Sequence, residues 1–247
     1  RRLVLMIIFL FLCIRFVPIE ILNIDIPFLS ALLGNNFFSS LFVLLCFLFI
    51  INGANLIDGF NGLLTINLII INSILAYINL ADGINEFSIV IIGQIIVLFS
   101  FLLFNFPSAK IFLGDSGSYL LGSTVALNVI ITNNLNPDYS SFFFCTLLFY
   151  LFFEVFFSFF RKIIQKKSPI HPDNNHLHML IFKKVSFIFG QDKGNYINSL
   201  IINLGYLSFV LPAFVFAKDP VISRYWFFSL IVIYLVIYLR LYRLTKN

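Results

Sequence analysis

Charged side chains make up only 11% of the sequence, while 60% of its 247 residues are hydrophobic. That is too little charge to clothe a water-soluble domain, and a mean hydropathy of +1.01 makes lipid the solvent for most of the chain. Cysteine is scarce too. Cys13, Cys46 and Cys145 stand singly inside apolar runs with no Cys-x-x-Cys, which excludes a disulfide framework or a thiolate zinc site. Serine-hydrolase, dinucleotide-binding and Walker motifs are missing, and so is any internal repeat. No two acidic residues are adjacent. The chain opens Arg1-Arg2 with no initiator Met and no signal-peptide layout, so it reads as a fragment or a processed product. The net charge of +5 would suggest nucleic acid in a soluble protein. Here membrane topology explains it better, and no nucleic-acid partner is expected.

What is present is a series of apolar runs. A membrane span needs about 17–25 such residues, and the sequence predicts an all-α, polytopic integral membrane bundle of about eight transmembrane helices. They fall at 3–17, 37–51, 63–80, 88–106, 119–132, 141–160, 196–217 and 225–244 and form one domain over 1–247. The apolar stretch 21–33, broken by Pro27, reads as interfacial or re-entrant. With Arg1 placed in the cytoplasm, most of the 16 Lys and Arg fall on that side. Arg15, Lys218 and Arg224 lie outside, against Glu20, Asp25, Asp82, Glu86, Asp138 and Asp219. This asymmetry obeys the positive-inside rule, and Tyr225, Trp226 and Tyr242 fall where aromatic belts belong.

Three polar segments then share the cytoplasmic face: 52–62, 107–118 and 161–195. The first reads Asn-Gly-Ala-Asn-Leu-Ile-Asp-Gly-Phe-Asn-Gly. Its Asn52, Asn55, Asp58 and Asn61 are spaced by three, and Gly53, Gly59 and Gly62 argue against a regular helix there. It is either a plain interhelical loop or polar backbone lining a wet cavity. In the second, Gly114-Asp115-Ser116-Gly117-Ser118 precedes an apolar run. Asp115 or Ser116 could simply cap a helix. Alternatively, helix-start amides bind phosphate while Asp115 holds Mg²⁺, which takes one or two carboxylates plus phosphate oxygens. Lys110 is a phosphate partner or a membrane anchor. The third holds all three histidines, His171, His176 and His178, with Asp173. A zinc site lacks its usual patterns, and Arg161, Lys162, Lys166 and Lys167 nearby suit an anionic ligand better. Glu154, the one acid inside a predicted span, is a functional candidate by position, or it reaches Arg161 two turns on, or it is protonated.

Together the segments 52–63 (Asn-Gly-Ala-Asn-Leu-Ile-Asp-Gly-Phe-Asn-Gly-Leu), 104–118 (Phe-Asn-Phe-Pro-Ser-Ala-Lys-Ile-Phe-Leu-Gly-Asp-Ser-Gly-Ser) and 168–179 (Ser-Pro-Ile-His-Pro-Asp-Asn-Asn-His-Leu-His-Met) carry a resemblance. In that order they resemble the polyprenyl-phosphate N-acetylhexosamine-1-phosphate transferases of the MraY/WecA type. The resemblance implies transfer of a sugar 1-phosphate from a UDP-N-acetylhexosamine to polyprenyl (undecaprenyl) phosphate, with Mg²⁺ (or Mn²⁺ in its place) and release of UMP. It implies a multi-pass protein of the bacterial inner membrane with a cytoplasmic site, and it leaves a homodimer open. Asp115 would be the Mg²⁺ ligand and Asp58 an essential acid. Asn52 and Asn55 would help shape the nucleotide pocket, Asn61 and Lys110 would be further substrate-binding residues, and Asp173, His176 and His178 would lie at the nucleotide-sugar end. Asn61 stands where relatives usually have Asp, Met179 where they have a third His, and Glu154 where they usually have Asp. The family's Asp-Asp-x-x-Asp-type loop has no counterpart here, which implies amino-terminal spans that this sequence does not contain. The histidine loop is closer to the WecA-like branch than to the muramoyl-pentapeptide branch. The rivals are a transporter or lipid flippase, whose polar groups would lie near the bilayer midplane with outlets on both sides, and a catalytically silent remnant.

Overall fold

The computed structural model describes residues 2–17, 19–169, 171 and 173–246. Arg1, from which the charge asymmetry starts, and Ile170 and Pro172 of the histidine segment lie outside the described residues. Eleven helices and no strand occur among the described residues: α1 (Arg2–Phe16), α2 (Pro27–Leu33), α3 (Asn36–Ile57), α4 (Leu63–Ala81), α5 (Asn85–Asn105), α6 (Gly114–Leu135), α7 (Ser141–Leu147), α8 (Phe149–Ile164), α9 (Leu177–Phe189), α10 (Gln191–Val215) and α11 (Pro220–Lys246). Each of the eight predicted spans is largely helical, and the molecule is a polytopic helical membrane protein. Five helices (α3, α4, α5, α10 and α11) are long and apolar enough to cross a membrane, six when α7 and α8, bent by 77° at their junction, count as one. Of the predicted spans, α1 is too short. The α6 helix is long enough but faces inward and buries Asn128, Thr132 and Asn133.

The central element is α3, which packs on α1, α6 and α8. It approaches α6 and α8 backbone to backbone. A Cβ on Gly122 would lie 2.9 Å from the Ala54 Cβ and 3.0 Å from the Ile51 Cα, and one on Gly53 would lie 2.6 Å from the Leu151 carbonyl carbon. Small residues at such crossings let helices meet where no hydrophobic force drives them together. This corrects the expectation that the glycines break the helix near residue 52. The helix runs unbroken to Ile57, and only 58–62 turn.

At the α7–α8 bend the buried Tyr206 hydroxyl donates to the Leu147 carbonyl at 2.6 Å, which gives that acceptor a partner in an apolar interior. Between α1 and α2, residues 19–26 form no regular secondary structure and are laced to the end of α6 and the start of α7. Asn23 and Asn133 exchange side chain-to-carbonyl bonds of 3.0 Å, and Asp25 accepts from the Ser140 and Ser141 hydroxyls. Inside the bundle, Asn128 donates to Asn72 at 3.0 Å and to Gln94. Such amide pairs hold membrane helices together.

Candidate functional site

The opposite end of α3 from Asn36 gathers the three polar segments. Asn55, in the last turn of α3, donates to Asp115 Oδ1 at 3.1 Å and to Ser118 Oγ at 3.0 Å. The turn after α3 is pinned from two sides. Asn61 donates from its side chain to the Pro107 carbonyl at 2.8 Å, and its backbone N–H donates to Asn195 Oδ1 at 2.8 Å. Gly62, at φ 76°, takes a left-handed conformation that glycine adopts without a Cβ penalty. Its N–H donates to Asn105 Oδ1 at 2.7 Å, while the same amide donates to the Ile111 carbonyl at 2.9 Å. Asn105 thereby ties the two polar loops to each other. It lies within a segment quoted above but was not singled out, because an Asn at a helix end reads as a turn former.

The result is a cleft of about 350 Å³ lined by Asn55, Leu56, Asp58, Gly59, Phe60, Asn61, Asn105, Phe112, Leu113, Gly114 and Asp115. Burial, and secondly the nearby Asp115 charge, push the Asp58 carboxyl up to about 7. Asp115 sits in the first turn of α6, whose N-cap position is Leu113. Of the residues predicted in the first two polar segments, Asn52 and Lys110 fall outside the cleft lining. The Asn52 amide donates back to the Leu48 carbonyl at 2.6 Å, and the exposed Lys110 donates its backbone N–H to the Phe104 carbonyl at 2.8 Å.

The histidine segment forms a second, buried cluster beside the cleft. His176 Nδ1 lies 3.2 Å from Glu154 Oε2 and its Nε2 lies 3.3 Å from Asp173 Oδ1. Each ring nitrogen faces a carboxylate, so neither is free for a metal or a substrate proton. Glu154 Oε1 also accepts from the Leu177 N–H at 3.2 Å and the Tyr234 hydroxyl at 2.8 Å. Arg161 does not reach Glu154. It forks onto Asp173 at 2.6 and 3.1 Å, and Lys162 donates to the carbonyls of Pro169 and His171 at 3.3 and 2.7 Å. These two cations are buried and committed to the loop, which corrects their assignment to an anionic ligand. His178 Nδ1 lies 3.3 Å from the Tyr150 hydroxyl, and its Nε2 is buried without a hydrogen-bond partner among the described residues. The Phe60 ring joins the clusters, since it lines the cleft and meets the His178 ring edge-on at 5.7 Å.

Burial would raise the Asp173 carboxyl, but the Arg161 hydrogen bond and charge and His176 outweigh it and hold it below the usual carboxylate range. Burial pushes His178 down to about 4, with Glu154 opposing and His176 reinforcing. Both shifts act with one sign. Unfolded His178 takes up a proton near its ordinary 6.5 while the folded ring stays neutral to about 4, so its stabilisation is lost as pH falls through that window. The Asp173 contribution is present above the ordinary 3.8 and is lost below it. Protection factors of the amides across 173–180, with the base-catalysed intrinsic rate divided out, are therefore expected to fall steadily from pH 6.5 downward, and protection that is flat to pH 4 would contradict these protonation states.

Among the described residues no group of three or more His, Cys, Asp and Glu is arranged to hold a metal. Asp58 and Asp115 are an all-oxygen pair. They suit a hard cation whose remaining ligands are water and phosphate oxygens. The Asp58 proton, held by burial and a like charge, is what a cation there would displace.

Residues 1–133 match the sequence profile of Glycosyl transferase family 4. Among curated proteins, the undecaprenyl-phosphate alpha-N-acetylglucosaminyl 1-phosphate transferase of Thermotoga maritima is 33% identical over 147 residues, covering 58% of this chain and 43% of that protein. A phospho-N-acetylmuramoyl-pentapeptide-transferase of Clostridium perfringens is 34% identical over 109 residues, covering 44% and 34%. A probable undecaprenyl-phosphate N-acetylglucosaminyl 1-phosphate transferase of Bacillus subtilis is 30% identical over 160 residues, covering 62% and 43%. The chain spans less than half the length of these relatives. The profile covers more than half of the chain and both carboxylates of the cleft, and the chain belongs to glycosyl transferase family 4.

Proposed function

We propose that this chain carries the catalytic half of a phospho-N-acetylhexosamine transferase. It would move a hexosamine 1-phosphate from a UDP-sugar to undecaprenyl phosphate at the cytoplasmic face of a bacterial inner membrane, starting a lipid-linked cell-envelope glycan. One observation carries the reading: two carboxylates, Asp58 and Asp115, line one polar cleft at the end of a lipid-facing bundle. In the reaction an oxygen of the lipid phosphate forms a bond to the sugar-bound phosphorus, the pyrophosphate P–O bond breaks, and UMP leaves. Once its own proton has been displaced, the Asp58 carboxylate can take the remaining proton of a phosphate monoester, whose second ionisation lies near 6. Asn55 orients Asp115 by its amide bond. Mg²⁺, when bound by Asp115 with Asp58 beside it, supplies neutralisation of phosphate charge. The Gly114 start of α6 adds backbone N–H groups toward the same cleft.

The test uses protein expressed from its complete reading frame, in membranes with undecaprenyl phosphate and Mg²⁺. UMP release is followed from a panel of UDP-N-acetylhexosamines. Release that requires the lipid and falls to background in Asp115→Asn supports the transferase and identifies its sugar. No release from any sugar by folded wild-type protein overturns it.

A further inference from the structure

The histidine cluster is closed by a helix that nothing in the sequence motifs points to. Glu154 is 1% exposed, and the groups around its carboxylate come from three directions. His176 and Leu177 belong to the loop and the start of α9, and Tyr234 comes from the middle of α11, 80 residues along the chain. A glutamate side chain has freely turning bonds, and two donors from one loop would leave its carboxylate plane free to swing with that loop. A third donor on a separate helix fixes the plane. Tyr234 is fit for this because its own ring is wedged edge-on against Phe153 at 4.9 Å and Phe157 at 5.5 Å. One turn on, Tyr238 stacks parallel to Tyr234, with centroids 6.3 Å apart, and donates to the Asn175 carbonyl at 2.9 Å. The two phenols thus grip the chain on either side of His176, at Asn175 directly and at Leu177 through Glu154.

We propose that Tyr234 is a positioning residue for the nucleotide-sugar end of the cleft: its hydroxyl sets the Glu154 carboxylate, and Glu154 sets His176 and the entry to α9. This rests on the transferase reading. The path to the cleft is a run of ring contacts. His176 lies parallel to His178 at 5.4 Å, and His178 meets Phe60 at 5.7 Å, whose ring lines the cleft. A carboxylate released from Tyr234 lets His176 turn, and the His178–Phe60 wall moves with it.

The experiment is Tyr234→Phe in the protein from its complete reading frame, which removes the hydroxyl and keeps the wedged ring. Two readouts are compared with wild type: amide exchange of 173–180, and KM and kcat for the UDP-sugar. Exchange at Leu177 is expected to rise about tenfold, the loss of one buried hydrogen bond. KM for the UDP-sugar is expected to rise roughly five- to tenfold with kcat within about twofold, and KM for the lipid phosphate is expected to hold, as lost binding without lost chemistry requires. Unchanged exchange overturns the clamp. Faster exchange with unchanged KM makes Tyr234 a packing residue only and overturns its role in the site. Should Tyr234→Phe fail to accumulate, Glu154→Gln gives the same two readouts, with the same outcomes deciding. Wild-type protein that releases no UMP sinks the transferase reading and this role with it, while the exchange data still report whether Tyr234 holds the loop.

Discussion

Gly53→Ala is expected to leave almost no folded protein, while Gly59→Ala, six residues on in the same polar stretch, is expected to be neutral. The first would place a methyl group 2.6 Å from the Leu151 carbonyl carbon and 3.0 Å from its Cα, and the second meets nothing within 4 Å. Overpacking typically costs about 1–3 kcal/mol when side chains can yield. Here the obstacle is the backbone of α8, itself held by the Tyr206–Leu147 bond at the bend, so the cost should exceed about 3 kcal/mol, a large share of the stability of a marginally stable fold. Separating α3 from α8 would also pull apart the two clusters of the site, because Asp58 follows α3 and Glu154 lies on α8. Monodispersity and thermal unfolding in detergent decide the matter. A Gly53→Ala protein melting within a few degrees of wild type would show that the crossing is looser than described.

That glycine also shows what could and could not be read in the sequence. Apolar length and the basic asymmetry were enough to locate the long apolar helices, though not α9, which lies inside the segment 161–195 read as a loop, and to gather 52–62, 107–118 and the histidine segment at one end of the bundle, because both signals are local or additive along the chain. Gly53 carries a local signal too, and it points the wrong way. In water a glycine inside a helix weakens it, but inside a membrane bundle it is where another backbone passes, and Leu151 lies 98 positions away. Arg161 and Lys162 misled for a related reason. Cations next to histidines resemble an anion site until the loop folds back and its own Asp173 and carbonyls claim them. Tyr234 had no motif at all. A tyrosine at 234, 238 and 242 shows only as an aromatic stripe of helical period, and its contact with Glu154 exists only in the folded molecule.

Divalent-cation affinity is expected to strengthen about tenfold per pH unit up to about 7 and to level off above it, with close to one proton released per ion bound below that point. Asp58 sets this dependence. In the folded protein its carboxyl keeps a proton to about 7, first because it is buried and second because Asp115 is charged nearby, and a cation entering between the two carboxylates must displace that proton. An ordinary aspartate would show its transition near 4 and nothing between pH 6 and 8. The linkage to folding has the same origin and the opposite sign from a salt-bridged acid. The folded state holds the proton more tightly than the unfolded one, so Asp58 costs stability as pH rises from about 4 to 7, and a bound cation offsets that cost. Asp58→Asn should flatten the pH profile between 6 and 8 and weaken binding by on the order of tenfold or more, one of two charges being gone. Asp115→Asn separates the two causes. Burial is the larger, so the Asp58 proton should still be held above the ordinary aspartate range once the neighbouring charge is removed, and the unfolding temperature without cation should remain pH-dependent between 4 and 7. Calorimetric Mg²⁺ titrations in two buffers of different ionisation enthalpy measure the proton release directly, and wild-type binding that is independent of pH from 6 to 8 would remove Asp58 from the cation site.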